Sequence, residues 1–145
     1  MKSDLENKVV LVTGGAGGIG SVISKSFAEQ GAKVIVHYNN SKDNAEKIAK
    51  EIGGVAINAD LTDAKQSENL FGRIISKEGK IDVCIANAGN YPKGVAPIWE
   101  IENERWDNTI STNLSLTYNT SRYFLKHASE TKKGSLVLIG STAGI

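Results

Sequence analysis

Short apolar runs recur along the chain and alternate with longer segments in which apolar residues follow helical spacing. Several of these runs are rich in β-branched residues and end at glycine or polar clusters, which is typical of buried strands. On this pattern, five strands are predicted at residues 8–12, 33–38, 55–60, 81–86 and 135–139.

The segments between these runs predict four helices. The first begins at Gly18 and ends before Gly31, because glycine commonly terminates a helix. Its apolar stripe is expected at Ile19, Val22, Ile23 and Phe27, with Ala28 beside them. The second follows Ser41, which is expected to cap it. The third and fourth span about 62–77 and 103–128, with a break near the start of the last.

Alternating strands and helices predict βαβ units and a parallel sheet covered on both faces. Right-handed crossovers and a glycine-rich loop after the first strand favour a doubly wound α/β sheet of the Rossmann type, with strand order 3-2-1-4-5. A chain of 145 residues fits a single domain. The pattern ends at the fifth strand, which we expect to be a bare parallel edge that invites association.

Charge and composition exclude some classes of partner. The net charge is +1 and the basic residues do not cluster, so neither nucleic acid nor a membrane surface is expected as a partner. No metal ion is expected either. The N-terminus lacks a signal-peptide core, and no apolar run approaches the ~20 residues of a spanning helix. The single cysteine, Cys84, is expected to be buried and unreactive. We therefore expect a cytoplasmic protein.

Glycines concentrate between the first strand and the first helix, where residues 13–20 read TGGAGGIG. Small residues let the backbone approach a phosphate, and the helix N-terminus supplies free N–H groups and a positive dipole end. Two motif registers fit. One places G-x-G-x-x-G on Gly15, Gly17 and Gly20, and the other places T-G-x-x-x-G-x-G on Thr13, Gly14, Gly18 and Gly20. A tight turn that only packs the helix on the sheet is the alternative.

Further motifs follow at the ends of later strands, in a fixed order. Asp60-Leu61 ends the third strand, Asn-Ala-Gly follows the fourth at residues 87–89, and Asn113 lies a few residues beyond Trp106. The fifth strand closes on Ile-Gly-Ser at Ser141. With these motifs the whole chain resembles the short-chain dehydrogenase/reductase family. Ala86, where an additional Asn is common, is a mild departure.

The resemblance implies an NAD(P)-dependent oxidoreductase acting on a small carbonyl or alcohol. Its cofactor contacts would be Gly14, Ala16, Gly17, Gly18, Ile19, Gly20, Asn39, Asp60, Leu61, Asn87, Ala88 and Gly89. Asp60 would accept a hydrogen bond from the adenine amino group. Asn113 would order a proton-relay water, and Ser141 would donate a hydrogen bond to the substrate oxygen. The alternatives are a solvated helix residue for Asn113 and a helix cap for Ser141.

The family also uses a Tyr-x-x-x-Lys pair about a dozen residues beyond that serine, and the chain ends four residues beyond Ser141. Tyr38 and Lys42 have the same spacing but lie at the end of the second strand, beside the expected ribose, so they are rejected as a catalytic pair. We therefore expect the 145 residues alone to be inactive and poorly stable, and the complete protein to be a dimer or tetramer. A dinucleotide-binding module without catalysis is the alternative.

The choice between NAD and NADP is finely balanced. NAD recognition usually needs an acid at the end of the second strand, and that segment reads His37-Tyr38-Asn39-Asn40. The missing acid favours NADP slightly, although Gly17 stands where the NADP-binding members often have an arginine. His37 is expected to be a strand-end side chain and His127 a surface residue. Reduction of 3-oxoacyl groups and oxidation of sugars or alcohols both remain open as substrates.

Overall fold

The fold is a five-stranded parallel sheet in the order β3-β2-β1-β4-β5, with helices on both faces. The computed structural model describes residues 4–94 and 96–141. The predicted doubly wound class and strand order are confirmed. The strands are β1 Val9–Val12, β2 Lys33–Tyr38, β3 Val55–Asn58, β4 Val83–Ala86 and β5 Ser135–Leu138.

Five α-helices connect the strands. They are α1 Gly18–Glu29, α2 Lys42–Glu51, α3 Ala64–Glu78, α4 Asn103–Ile110 and α5 Leu116–Thr131, and a short 3₁₀ turn covers Ile98–Glu100. A π-helical turn, Ser111–Ser115, joins α4 directly to α5. The predicted long helix is therefore present, and the break predicted near its start is this π turn. Such single π turns are common at functional sites.

Two apolar layers form on opposite faces of the sheet, because successive side chains of a strand point to opposite sides. On one face Val9 and Leu11 pack with Leu70 and Phe71 of α3 and with Phe124 of α5. On the other face Val10 and Val12 contact residues of α1 and α2, among them Phe27, Ala45 and Ile48.

Element boundaries differ from the predictions where side chains hydrogen-bond to the backbone. The Asp63 carboxylate accepts from the backbone N–H groups of Lys65 and Gln66, so α3 begins after Asp63 and not at Thr62. Ser41 occupies the N-cap position of α2, as predicted, but its side chain makes no capping hydrogen bond.

Two predictions about burial are wrong. In α1, Ile23, Phe27 and Ala28 of the predicted stripe pack on the core, while Ile19 is 66% exposed and Val22 63%. The helix lies on the sheet through its smaller residues, so the stripe is narrower than its spacing suggests. His127 is not at the surface: it is buried, and its Nε2 accepts from the backbone N–H of Ile81 at 3.1 Å.

The carboxyl ends of the strands meet at one edge of the sheet, since all the strands are parallel. The loops that carry the predicted motifs therefore come together there. β5 is an outer strand with exposed apolar residues, including Val137 and Leu138. Among the residues described, no helix has the length and apolarity needed to cross a membrane.

Candidate functional site

A cleft of about 800 Å³ opens at the carboxyl ends of β1 to β4. The residues predicted as cofactor contacts all line it. They are Gly14, Ala16, Gly17, Gly18, Ile19, Gly20, Asn39, Asp60, Leu61, Asn87, Ala88 and Gly89. The two predicted catalytic residues, Asn113 and Ser141, are not in its wall. A second, more open cleft of about 930 Å³ lies outside β3, against α3, and contains none of these residues.

The glycine loop is closed by contacts that exclude larger side chains. Gly14 has φ +61°, and its carbonyl oxygen accepts from the N–H of Gly17 at 3.0 Å. A Cβ on Gly20 would lie 2.1 Å from that same oxygen. The first turn of α1 therefore packs directly against the loop. Its N–H groups at Gly18, Ile19 and Gly20 have no intrahelical acceptor, and these residues line the cleft.

Thr13 joins the ends of β1 and β4. Its hydroxyl donates to the carbonyl of Ile85 and accepts from the N–H groups of Asn87 and Ala88, both at 3.0 Å. The Asn87 side chain adds a second connection between the two strand ends, because it donates to the carbonyl oxygens of Thr13 and Gly14. The Asn-Ala-Gly motif therefore holds the glycine loop as well as lining the cleft.

His37 connects the same loop to the other side of the cleft. The residue is 3% exposed, its Nδ1 accepts from the N–H of Gly14 at 3.1 Å, and its Nε2 lies 2.9 Å from the carbonyl oxygen of Ala59. Its own carbonyl accepts from the N–H of Gly15 at 3.0 Å. Burial lowers the pKa of His37 to about 4, so the ring is neutral at physiological pH.

Asp60 lies two residues beyond the end of β3, in a turn and not in the strand. One of its carboxylate oxygens accepts from both the N–H and the hydroxyl of Thr62, at 2.9 and 2.7 Å. Its backbone N–H donates to the side chain of Gln66 at 3.0 Å. The carboxylate is therefore fixed in orientation at the cleft wall. The cap of α3 is Asp63 and not Asp60.

Asn113 lies in the π turn and is bonded to the loop after β4. Its Nδ2 donates to the carbonyl oxygens of Asn90 and Thr109, at 2.9 and 3.0 Å, and its Oδ1 accepts from the N–H of Asn90 at 3.0 Å. Asn90 and Thr112 line the cleft, so Asn113 lies just behind its wall. Both polar atoms of its side chain are engaged in hydrogen bonds, and the residue is half-buried.

Ser141 follows β5 at the same edge of the sheet. Two residues before Ser141, the N–H of Ile139 donates to the carbonyl of Ala86 at 3.0 Å. Ser141 therefore lies near the carboxyl end of β4.

The end of β2 contributes Tyr38, Asn39, Asn40 and Ser41 to the cleft, without an acidic side chain. The amide of Asn58 donates to the carbonyl of Asn39 and fixes this corner. The Lys42 ammonium lies 3.7 Å from the carboxylate of Glu46 and does not line the cleft, in keeping with its rejection as a catalytic partner of Tyr38.

Eight cleft residues lie outside the predicted set, namely His37, Tyr38, Asn40, Ser41, Thr62, Asn90, Thr112 and Leu116. They lie in the cleft because the segments after β2, β3 and β4 meet there with the π turn and the start of α5, and no local sequence motif identifies them. Cys84 is as predicted: it is buried, and burial raises its pKa to about 12. The described residues contain no cluster of three or more His, Cys, Asp or Glu side chains that could hold a metal ion.

Residues 8–145 match the family model described as short chain dehydrogenase. The chain belongs to the short-chain dehydrogenase family. The resemblance inferred from the ordered motifs is therefore confirmed, and it extends from β1 to the last residue of the chain.

The curated relatives of this short-chain dehydrogenase differ in their named substrates. The chain is 38% identical to an NADP-dependent mannitol dehydrogenase of Alternaria alternata, over 97% of this chain and 55% of the relative. It is 34% identical to elsinochrome reductase 1 of Elsinoe fawcettii, over 98% and 54%. It is 33% identical to a 3-oxoacyl-[acyl-carrier-protein] reductase of Thermotoga maritima, over 97% and 58%. The chain thus spans about half the length of these relatives.

Proposed function

We propose that this chain is the dinucleotide-binding part of an NAD(P)-dependent oxidoreductase, which moves a hydride between nicotinamide and a carbonyl or secondary alcohol. The observation that carries the proposal is the convergence of the twelve predicted contact residues on one cleft. We also propose that the 145 residues form one domain, with the rest of the family fold and the tyrosine–lysine pair lying on additional chain.

The residues at the glycine loop fit a pyrophosphate. The first turn of α1 offers three N–H groups and the positive end of the helix dipole to the cleft. A Cβ at Gly18 would meet no atom within 4 Å, so the space above this turn is open to a ligand. Asp60, held by Thr62, would receive the adenine amino group at the opposite side of the cleft.

We favour NADP over NAD as the ligand. An acid at the end of β2 would repel a 2′-phosphate, and Asn39, Asn40 and Ser41 occupy that corner. Amide and hydroxyl groups can donate hydrogen bonds to a phosphate without opposing charge. Two relatives, from Alternaria alternata and Yarrowia lipolytica, carry NADP dependence in their names.

The proposed catalytic groups are Ser141 and Asn113. The nicotinamide would supply or accept the hydride when bound. The Ser141 hydroxyl would hold the substrate oxygen by a hydrogen bond as charge develops on it. The amide of Asn113 is bonded to Asn90 and Thr109, so it would keep the loop after β4 and the π turn in register for the proton relay.

We further propose that the complete protein is a homo-oligomer in the cytoplasm. Large apolar side chains are exposed along the continuous helical segment formed by α4, the π turn and α5, which supports a subunit contact there. They are Trp106, Leu114, Tyr118 and Leu125. Light scattering after size exclusion would give a mass of two or four chains, and a strictly monomeric mass would contradict this part of the proposal.

The function is tested by titrating the full chain with NADPH and NADH and by following hydride transfer to a panel of small carbonyl compounds. Gly18→Glu is the decisive variant. It puts a negative charge where the pyrophosphate would bind, in open space and at a helix N-terminus where an acid is tolerated. We expect it to raise the Kd for NADPH about tenfold or more, without loss of folding.

Gly72→Glu is the matched control, because Gly72 lies in α3 with open space around it and outside the proposed site. It should bind NADPH like the wild type. Equal affinity of Gly18→Glu and Gly72→Glu would contradict the proposed site. Binding of NADPH without any turnover would instead support the alternative, a binding module without catalysis.

A further inference from the structure

We propose that His37 is a positioning residue of the dinucleotide site: its ring holds Gly14 on one side of the cleft and Ala59 on the other, and so sets the shape of the glycine loop before the ligand binds. This proposal rests on the proposed function. It assigns a role to a side chain that the motifs do not mark, and which the sequence predicted to be only a strand-end residue.

The hydrogen bonds around the ring fix its protonation. The N–H of Gly14 can only donate, so Nδ1 must carry a lone pair, and the carbonyl of Ala59 can only accept, so Nε2 must carry the proton. The ring is therefore the neutral tautomer with the proton on Nε2. A second proton on Nδ1 would break the bond to Gly14.

Gly14 connects the glycine loop to the first turn of α1. Its carbonyl accepts from the N–H of Gly17, and the same oxygen packs against the position where a Cβ of Gly20 would stand. A shift of Gly14 would therefore move the first turn of α1, whose N–H groups face the cleft. His37 also accepts the N–H of Gly15 through its own carbonyl, so it holds two successive residues of the loop.

The other contact of the ring reaches the adenine side of the cleft. Ala59 immediately precedes Asp60, whose carboxylate is oriented by Thr62. The imidazole thus spans from the phosphate loop to the turn that carries Asp60. The buried side chain of His37 therefore links the glycine loop, which would bind the pyrophosphate, to the turn with Asp60, which would bind the adenine.

His127 offers a matched control within the same chain. It is also a buried histidine, and its Nε2 accepts a backbone N–H, that of Ile81, at 3.1 Å. This contact lies before β4, at the amino ends of the strands, and so on the opposite edge of the sheet from the cleft. Its loss should destabilise the fold as much as loss of the His37–Gly14 bond, without touching the loop.

The test compares His37→Leu, His37→Asn, His37→Gln and His127→Leu in the full chain, with NADPH as the probe. His37→Leu removes both ring contacts, and leaving the Gly14 N–H without an acceptor should raise the Kd about tenfold or more. The Asn side chain places an oxygen near the position of Nδ1, so His37→Asn should recover most of the affinity. The longer Gln side chain reaches toward Ala59 only, so His37→Gln should not recover the affinity for NADPH.

Each outcome decides the proposal. Wild-type affinity in His37→Leu would overturn it while leaving the dinucleotide function intact. An equal loss in His127→Leu would overturn it as well, because the effect would then be general destabilisation. Absence of NADPH and NADH binding by the wild type would remove the function itself. If His37→Leu fails to fold, ¹⁵N shifts of the wild-type ring decide: a proton on Nδ1 at neutral pH would overturn the proposal.

Discussion

Replacing Gly20 by alanine tests the packing of the glycine loop against α1 with a single methyl group. The new Cβ would lie 2.1 Å from the carbonyl oxygen of Gly14 and 2.7 Å from Nδ2 of Asn87. Non-bonded carbon atoms do not approach backbone atoms this closely, so the loop and the helix must separate by about 1 Å. Gly72→Ala is the matched substitution, because Gly72 is also helical and its Cβ would meet no atom within 4 Å.

The two variants share one favourable effect and differ in one unfavourable effect. Alanine stabilises a helix over glycine by about 0.5–1 kcal/mol, which both variants gain. Forcing extra volume into a packed site typically costs about 1–3 kcal/mol, and only Gly20→Ala incurs it. The expected difference in the free energy of unfolding between the two variants is therefore about 1–3 kcal/mol, in favour of Gly72→Ala.

Urea unfolding of the full chain without ligand measures this difference directly. At about 2–4 °C per kcal/mol, thermal unfolding should place Gly20→Ala several degrees below Gly72→Ala. NADPH affinity should fall in Gly20→Ala and stay unchanged in Gly72→Ala. An unfolding midpoint for Gly20→Ala equal to or above that of Gly72→Ala would refute the packing argument.

Three further predictions concern stability and reactivity. Asp63→Ala should lower the free energy of unfolding by about 1 kcal/mol in urea titrations, because Asp63 caps α3, whereas Ser41→Ala, at a cap position without a side-chain bond, should change it by less than about half of that. Because burial lowers the pKa of His37 to about 4, the unfolded chain takes up the proton first as the pH falls from about 6.5. The free energy of unfolding should therefore fall by about 3 kcal/mol between about pH 6.5 and about pH 4. Acid-unfolding curves of His37→Leu should lack this pH dependence. Cys84, buried and with its pKa raised to about 12, should react with a thiol reagent only after unfolding, so rapid labelling of the native protein would contradict its placement.

The sequence predicts the architecture well because two strong periodicities carry it. Short β-branched runs and helical stripes alternate, and the glycine cluster between β1 and α1 identifies the crossover from which the sheet order follows. The cleft follows too, since the motifs stand at strand ends and parallel strands end at one edge. The resemblance to the family supplied the twelve expected contact residues, and all of them line this cleft.

Side-chain burial on individual helices was harder to predict, because it depends on how closely each helix approaches the sheet. The buried residues of α1 are Gly20 and Ser24, while Ile19 and Val22 remain exposed despite their spacing. His127 looks like a surface residue late in a helix, yet a backbone N–H from a distant loop becomes its partner. His37 is the same case at the cleft: its two partners are 22 and 23 residues away in sequence.

Hydrogen–deuterium exchange of the full chain with and without NADPH tests the central claim most directly, because it reports where the dinucleotide binds. We predict slower exchange at residues 14, 16–20, 60–62 and 87–90, which line the proposed cleft. The cleft outside β3 is the competing site, lined by residues of α3 between Gln66 and Lys77. Protection confined to that helix, or no protection at the glycine loop, would contradict the account.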